Sequence, residues 1–223
     1  MKIPAILLAG GKNSRFDFSK VNYGINEKLL LPLGNRYIID FSIKTILDAT
    51  QISQLTIATS PNAKATHKYL VKEYSHLTII KTKGNGYLQD IHSVVKNFNL
   101  GKVITIVGDA PFITSQILDS AIKTYLNLKY EALSIMIPVK LLHNYGFNIS
   151  SRHIFIKKGE KVISTGINLL DGRILFKKEL DQMNIVSENI NLMYNINTIE
   201  DYNRAKEYYK KIEKNYSLND NDY

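Results

Sequence analysis

The 223-residue sequence contains no cysteine, and this absence excludes three kinds of chemistry. The chain has no disulfide framework, no thiol nucleophile and no cysteine-ligated zinc. Its five histidines are scattered and form neither an H-E-x-x-H motif nor a close pair, so the sequence does not indicate a catalytic zinc site. The serine-hydrolase motif Gly-x-Ser-x-Gly is also missing.

Long hydrophobic runs are absent as well. No uninterrupted apolar stretch approaches the roughly 18 residues needed to span a bilayer. The apolar run Ile3–Ala9 stops at Gly10-Gly11-Lys12 without the small-residue cleavage site of a secretory signal. We therefore interpret this run as a buried strand, and we expect a cytoplasmic protein without a membrane span.

Acidic residues are scarce relative to basic ones. Lys and Arg total 29 against 20 Asp and Glu, which gives a net charge of +9. This excess favours anionic partners without choosing among them. The basic residues of the C-terminal segment alternate with glutamates, which is typical of a solvated helix face, so we do not expect nucleic acid as a partner.

The length and the 44% hydrophobic content predict one packed domain over residues 1–216, followed by a polar, frayed tail at 217–223. Short apolar runs rich in Ile, Val, Leu and Thr predict strands, namely Ile3–Ala9, Gln54–Thr59, Leu77–Lys81, Lys102–Val107 and Ala132–Pro138. Longer amphipathic segments predict helices at Tyr37–Asp48, Ala63–Tyr74, Leu88–Phe98 and Ser115–Leu128. Strands that alternate with helices indicate a mainly parallel sheet.

The pattern changes after Pro138. His153–Lys157 and Val162–Leu170 flank a glycine turn and predict a hairpin, Asn191–Asn197 predicts one more strand, and Ile199–Lys214 predicts a terminal helix. The predicted fold class is therefore α/β, a Rossmann-like, doubly wound, mostly parallel sheet with a small antiparallel extension.

A glycine-rich loop follows the first predicted strand. Gly10 and Gly11 let backbone N–H groups approach a ligand, and Lys12 and Arg15 add positive charge beside them. This combination is suited to phosphate. The loop is neither a Walker A loop nor a G-x-G-x-x-G fingerprint, and the alternative interpretation is a tight turn with exposed cations.

Two further segments contribute charged candidates. Lys28 precedes the apolar segment 29–33, from which it is able to reach the same phosphates. The alternative is a solvated lysine, and Lys20 in the long spacer 16–26 competes for the role.

Asp109 follows the strand Lys102–Val107, at the sheet edge where ligands bind in open parallel sheets. A carboxylate there is suited to Mg²⁺, whereas a helix cap is better supplied by Thr114 or Ser115.

These residues carry a resemblance to a known superfamily. The segments L-A-G-G-K-x-S-R, E-K-x-L-L-P-L-G and G-D-x-P-F resemble the signature of nucleotidyltransferases that activate phosphorylated metabolites with NTPs, such as the molybdenum-cofactor guanylyltransferases. Asn13 departs from this signature, which usually has glycine there. The segments I-A-T-S-P-N and T-G-I-N resemble the cobalamin-pathway family of GTP:adenosylcobinamide-phosphate guanylyltransferases.

This resemblance implies a reaction and its substrates. The enzyme would transfer GMP from GTP to adenosylcobinamide phosphate, giving adenosylcobinamide-GDP and pyrophosphate, with Mg²⁺ or Mn²⁺ as cofactor. Its partners would be GTP and a phosphorylated corrinoid, and a homodimer is compatible with it. The alternatives are a molybdenum-cofactor guanylyltransferase, a sugar-phosphate nucleotidyltransferase and a nucleotide-sensing domain without turnover.

The resemblance also implies site residues. The catalytic residues would be Arg15, Lys28 and Asp109. Nucleotide would contact the segment Leu8, Ala9, Gly10, Gly11 and Lys12, together with Gly84, Gly86 and Asp90 further along the chain.

Four of the distant positions have competing interpretations. Asp90 would read guanine, but a first-turn aspartate is also favoured by the helix dipole. Gly166 and Asn168 would leave room for the acceptor substrate, but they are also compatible with a β-bulge. Asn197 would complete the metal or phosphate shell opposite Asp109, with capping of the last helix as its alternative.

Overall fold

The computed structural model describes residues 1–150, 152–177 and 179–219. The described strands are β1 (Ile3–Leu8), β2 (Pro32–Leu33), β3 (Arg36–Tyr37), β4 (Ile52–Thr59), β5 (Thr78–Lys81), β6 (Lys102–Val107), β7 (Ala132–Pro138), β8 (Ile154–Lys157), β9 (Glu160–Asp171) and β10 (Gln182–Val186). The described helices are α1 (Ile38–Asp48), α2 (Lys64–Glu73), α3 (Tyr87–Phe98), α4 (Ser115–Asn127), α5 (Val139–Asn144) and α6 (Ile199–Asn219).

A single mixed sheet organises these described elements. Its strand order is β10-β7-β9-β6-β1-β4-β5, with β8 paired to β9, while β2 and β3 form a separate hairpin. The neighbouring pairs β10/β7, β6/β1, β1/β4 and β4/β5 are parallel. The predicted α/β class with a mostly parallel sheet and a small antiparallel part is confirmed.

The position of the antiparallel part differs from the sequence expectation. We expected a peripheral extension, but β9 lies inside the sheet and runs antiparallel to both β6 and β7. Val162, Ile167 and Leu169 of β9 are inaccessible to water, and a strand with such burial is favoured in the middle of a sheet, where both faces are covered.

Helices cover both faces of the sheet. On one face α1 buries Ile38, Ile39, Ile43 and Ile46, a helical spacing of apolar residues in which each full burial stabilises the fold by about 1.5–3 kcal/mol. On the other face α3 packs Ile91, Val94 and Val95 in a smaller cluster. This two-sided arrangement leaves the carboxyl ends of the parallel strands as the open edge of the sheet.

One predicted strand is wrong. Residues 191–197 form no strand; the segment begins with a 3-10 turn at Ile190–Met193 and continues as a loop. Its apolar side chains enter the core from this loop, and the Ile196 amide donates to the Asp109 carbonyl at 2.9 Å instead of joining a ladder. The strand of this region is β10, which pairs with β7 and which we did not predict.

The last helix continues beyond its predicted end. α6 reaches Asn219, so the first three residues of the tail expected to fray are helical, and residues 220–223 lie outside the described part of the chain. None of the described helices is both long enough and apolar enough to cross a membrane.

Candidate active site

The predicted nucleotide residues line one cavity of about 660 Å³ at the carboxyl ends of the strands, with the exception of Ala9, which is buried and does not line it. Leu8 and Val107 end β1 and β6, and Ala58, the second-last residue of β4, lies at the same level, because Leu8 is in register with both Ala58 and Val107. The loops that follow these strands therefore open toward a common space. The cavity size is within the range of about 300–1,000 Å³ that is typical of small-molecule sites.

The glycine loop forms one wall of this cavity. A Cβ at Gly10 would lie 2.8 Å from the Cβ of Ser60, whereas nothing lies within 4 Å of a Cβ at Gly11. Ser60 also donates to the Gly10 carbonyl at 2.5 Å. Gly10 therefore permits close packing against the loop after β4, and Gly11 presents open backbone.

Asn13 has a left-handed backbone with φ of 54°. Glycine adopts this conformation without cost, and asparagine is among the few other residues that tolerate it. The departure from the superfamily signature at this position is therefore compatible with the geometry of the loop.

The cations of the loop lie at the cavity, as predicted from the sequence. Lys12 and Arg15 both line it and are exposed. The Arg15 Nη2 donates to Asn197 Oδ1 at 2.7 Å, although the two residues are 182 positions apart in the chain. The loop after β1 and the segment before α6 therefore meet at the cavity.

Lys28 and Asp109 form an ion pair in the same cavity, with Lys28 Nζ 2.6 Å from Asp109 Oδ2. Their side chains are 9% and 18% exposed, so both are largely desolvated. Lys28 is held in a 3-10 turn, Lys28–Leu30, whose leucines are buried. The lysine is thus a cavity residue and not a solvated residue beside a strand.

The competing lysine lies elsewhere. Lys20 is 58% exposed and approaches Asp17 at 3.7 Å, and it does not line this cavity. The spacer that carries Lys20 is anchored at its start: Phe16 is buried, with its ring 4.8 Å from that of Phe18 and 6.2 Å from that of Tyr202 in α6.

Asp109 has one oxygen suited to a cation. Its Oδ1 is buried without a hydrogen-bond partner among the described residues, while Oδ2 accepts from Lys28. Within the described ranges no cluster of three or more His, Cys, Asp or Glu residues is arranged to hold a metal. A divalent ion at Asp109 would therefore take its other ligands from amide oxygens, water and substrate phosphates, a donor set that suits Mg²⁺.

The loop before α3 forms the opposite wall. Gly84 and Gly86 have φ values of +69° and +124°, conformations that favour glycine, and both line the cavity together with Asp90. The Gly84 amide donates to Asp90 Oδ1 at 3.1 Å. Asp90 thus shapes its own loop, and its carboxylate keeps further acceptor capacity because each oxygen has about two lone-pair sites.

A second cavity of about 490 Å³ adjoins the first and contains Gly166 and Asn168. Four residues line both cavities and form their common wall: Arg15, Tyr87, Val107 and Asn197. The residues predicted to bind nucleotide and those predicted to bind the acceptor therefore line two cavities that share this common wall.

Gly166 has a structural reason to be glycine. Its φ is +83°, and a Cβ would lie 2.3 Å from Val107 Cγ2. The β7/β9 register shifts between Ser134 and Met136, opposite this residue. The bulge considered as the alternative is thus present, and it lies at the second cavity.

Asn197 is not the cap of α6. Thr198 accepts from the Asp201 amide at 3.2 Å, and Asp201 accepts from the amides of Asn197 and Thr198. Asp201 also forms a buried ion pair with Arg152 at 2.8 Å. These contacts hold the Asn197 segment beside Arg15.

Several residues of the site were missed by the sequence analysis. Asp201 and Arg152 support Asn197, and Glu27 accepts from the amides of Ala65 and Thr66 at 2.8 and 2.7 Å. Of these, only Asp201 had a local signal, the Thr-x-x-Asp spacing of a capping box. The others depend on contacts between distant segments.

Residues 5–146 match the MobA-like NTP transferase domain. The chain belongs to this family. The predicted membership is confirmed, and this MobA-like protein is a nucleotidyltransferase.

The proteins that this MobA-like chain resembles in sequence or structure are named as nucleotidyltransferases. It is 27% identical to the adenosylcobinamide-phosphate guanylyltransferase of Methanocaldococcus jannaschii, over 93% of this chain and 97% of that protein. It is also 27% identical to a probable molybdenum cofactor guanylyltransferase of Pyrococcus horikoshii, over 57% and 58% of the two chains. A nucleotidyl transferase from Methanothermobacter thermautotroptrophicus has the same fold, with a TM-score of 0.64 at 14% identity over 95% of this chain and 99% of that one.

Proposed function

We propose that the protein transfers GMP from GTP to the phosphate of adenosylcobinamide phosphate, forming adenosylcobinamide-GDP and pyrophosphate. The observation that carries this proposal is the pair of adjoining cavities with Arg15 and Asn197 in their common wall. Substrates bound in the two adjoining cavities would meet at their shared boundary, with Lys28 and Asp109 on the side of the first cavity. The near full-length similarity to the Methanocaldococcus jannaschii protein supports the corrinoid acceptor.

The triphosphate of GTP would bind on the glycine loop. The amides of Gly10 and Gly11 donate to phosphate oxygens, and Lys12 and Arg15 neutralise the β- and γ-phosphates. Since these groups belong to a loop fixed by Ser60 and by Asn197, they are preorganised before the nucleotide arrives. Preorganised charge of this kind stabilises a developing anion without reorganisation during the reaction.

Guanine would be read by the loop that carries Gly84 and Gly86. Asp90 accepts from guanine N1–H and N2–H with the acceptor capacity that its bond to the Gly84 amide leaves. Adenine lacks this pair of adjacent donors, so the carboxylate favours GTP over ATP.

The transfer itself would need no general base. The nucleophile is a phosphate monoester whose second pKa is about 6, so it is anionic near neutral pH. Its oxygen forms a bond to the α-phosphorus of GTP, the bond between that phosphorus and the bridging oxygen breaks, and the electron pair leaves with pyrophosphate. Lys28 stabilises the charge on the α-phosphate, and positioning by the two cavities supplies the rest of the barrier reduction.

Asp109 would hold the divalent ion, whereas the oxygen of Asn197, the second ligand implied by the resemblance, accepts from the Arg15 guanidinium and would have to exchange that contact to join it. The unpartnered Oδ1 of Asp109 is available to it while Oδ2 keeps Lys28 in place. When bound, Mg²⁺ or Mn²⁺ supplies neutralisation of phosphate charge in this cavity. Asp109 thereby orients the lysine and the cation with one carboxylate.

A panel of the four ribonucleoside triphosphates with Mg²⁺, each with and without adenosylcobinamide phosphate, tests this proposal through pyrophosphate release. We expect release only with GTP and the corrinoid together. Release with molybdopterin or a sugar phosphate in place of the corrinoid would reassign the acceptor. Nucleotide binding without pyrophosphate release from any acceptor would indicate a sensor.

A further inference from the structure

Tyr87 occupies an unusual position between the two cavities. It is the first residue of α3, directly after the loop of Gly84 and Gly86, and it lines both cavities. Its side chain is partly exposed, yet its hydroxyl is enclosed by hydrogen-bond partners. The mechanism above gives this residue no role.

The hydroxyl belongs to a network of hydrogen bonds that joins residues of four strands, β10, β7, β9 and β6. Gln182 Nε2 donates to Ser134 Oγ at 3.0 Å, Ser134 donates to Asn168 Oδ1 at 2.6 Å, and Asn168 Nδ2 donates to Tyr87 Oη at 2.6 Å. The Thr105 hydroxyl donates to the backbone carbonyl of Asn168 at 3.2 Å and lies 2.7 Å from Tyr87 Oη. Either hydroxyl can donate in the second contact; with the Thr105 proton directed to the backbone carbonyl of Asn168, the donor is Tyr87.

This direction fixes the orientation of the Asn168 carboxamide. Its oxygen faces Ser134 and its nitrogen faces Tyr87. A rotated amide would set its oxygen against the Tyr87 oxygen, whose proton is directed to Thr105. Burial raises the pKa of the Tyr87 hydroxyl, although its bonds to Thr105 and Asn168 act in the opposite direction. The proton that Tyr87 donates therefore remains in place at neutral pH.

The second cavity thus has two chemically different kinds of lining residue. Tyr87, Ser134, Asn168 and Gln182, which hydrogen bonds join, form a neutral wall of amides and hydroxyls. Arg15 and Lys157 contribute cations to the same cavity, whereas the Arg152 guanidinium is buried and paired with Asp201. An acceptor that carries a phosphate and an uncharged polar body matches this division. The neutral wall suits hydroxyl or carboxamide groups of that body.

We propose that Tyr87 is a positioning residue that orients the Asn168 carboxamide toward uncharged polar groups of the acceptor substrate. Asn168 has a second amide proton and further acceptor capacity that its two side-chain bonds leave unused. Because Tyr87 begins the helix after the nucleotide loop, it also joins the acceptor wall to that loop. This inference rests on the proposed function for the identity of the acceptor, but not for the orientation of the amide.

Steady-state kinetics of Tyr87→Phe test the role. Loss of the hydroxyl leaves the Asn168 amide unpartnered on one side, and we expect the KM for the acceptor to rise about tenfold, with the KM for GTP and kcat unchanged. Tyr130→Phe is the matched control, since Tyr130 is as exposed as Tyr87, 39% in both, and lines neither cavity. An unchanged acceptor KM, or an equal effect on both substrates, would overturn the proposal.

A second pair of variants shows whether Tyr87 acts through Asn168. In an Asn168→Ala background, Tyr87→Phe should raise the acceptor KM no further, because the group that it orients is gone. Ser134→Ala approaches the same amide from its other side and should reproduce the Tyr87→Phe effect. Additive effects of Tyr87→Phe and Asn168→Ala would contradict a positioning role.

A spectroscopic measurement separates this inference from the proposed function. In ¹⁵N-labelled protein, the Asn168 side-chain amide protons should exchange slowly with water in the wild type and faster in Tyr87→Phe. Equal exchange in both proteins would overturn the orientation. If adenosylcobinamide phosphate is not a substrate, the proposed function fails while the amide measurement still decides the role of Tyr87.

Discussion

Lys28 and Asp109 are close enough, at 2.6 Å, that each determines where the other points. Replacing Lys28 by alanine removes a cation from the proposed position of the α-phosphate. We expect Lys28→Ala to lower kcat by a factor of about 10²–10³, a magnitude seen when one preorganised stabilising group is lost. Pyrophosphate release measures the effect, and circular dichroism verifies that the variant is folded.

Lys20→Ala is the control for this substitution. Lys20 is 58% exposed and its ion pair with Asp17 is a surface contact, which contributes little stability. We expect wild-type activity from this variant. A large loss in Lys20→Ala together with normal activity in Lys28→Ala would assign the catalytic lysine to the spacer.

Asp109→Asn tests the metal. The amide keeps the shape of the side chain but removes the charge, so we expect the Mg²⁺ concentration for half-maximal activity to rise by at least about tenfold. Asp119→Asn is a suitable control, because Asp119 accepts from the amides of Thr50 and Gln51 far from the cavity. That variant should lose stability and keep the Mg²⁺ titration; an unchanged titration in Asp109→Asn would make Asp109 structural.

The parts of the site that were predictable are those with a local signal. Gly10, Gly11 and Arg15 belong to one loop whose chemistry is legible from adjacent residues. Tyr87 was not assigned, because its importance arises from a hydrogen bond to a residue 81 positions away. A pattern of neighbouring residues contains no information on such a contact.

At the scale of elements, α2 is capped by another segment of the chain. Its own N-cap position, Ala63, provides no side-chain cap. Glu27 supplies it instead through the amides of Ala65 and Thr66, and this contact fixes the turn that carries Lys28. The helix end and the catalytic candidate are therefore mechanically linked.

Glu27→Ala should lower both the stability of the protein and its activity. Loss of a cap costs about 0.5–2 kcal/mol in the free energy of unfolding, and release of the turn should lower kcat several-fold. Denaturant unfolding and pyrophosphate release measure the two effects. Glu73→Ala at the other end of α2, where the ion pair to Lys72 is exposed, should change neither; a Glu27→Ala enzyme with unaltered kcat would contradict the link.

The elements differ in how much their sequences reveal. The strands β6 and β7 were predicted with their observed bounds because they are short apolar runs buried on both faces. β10 was missed because it is a half-exposed edge strand of mixed polarity, Gln182–Val186. Residues 191–197 contain the apolar side chains of Leu192, Met193, Tyr194 and Ile196, but tertiary contacts of a loop bury them without a ladder.

At the scale of the whole molecule, the tyrosines predict how stability responds to alkaline pH. Burial raises the pKa of Tyr125 and Tyr194 to about 12, and raises the pKa of Tyr69 and Tyr74, which also donate to Asp40, further still. The folded protein therefore binds more protons than the unfolded chain once pH exceeds the unfolded tyrosine pKa of about 10.

The free energy of unfolding should consequently be fully retained below pH 10 and fall as pH rises above it. Urea unfolding between pH 8 and 11.5 measures this decline. Tyr74→Phe removes one of the titrating groups and should give a shallower slope above pH 10 than the wild type. A stability that stays constant across this range would contradict the assignment.

The topology as a whole was only partly predictable. Alternating strands and helices indicated a parallel sheet, and the polar side chains after β1 and β6 indicated its functional edge. The insertion of β9 between β6 and β7 was not predictable, because Lys102 pairs with Asp171 across a separation that local patterns do not encode. That insertion places Gly166 and Asn168 beside the nucleotide cavity.

The proposed reaction requires a triphosphate on the Gly10–Arg15 loop. A crystal structure of the protein with GTP and Mg²⁺ tests it most directly. We predict phosphate density within hydrogen-bond distance of the Gly11 amide, between Lys12 and Arg15, with the guanine toward Asp90. Nucleotide bound elsewhere, or a cavity that stays empty at saturating GTP, would contradict the account.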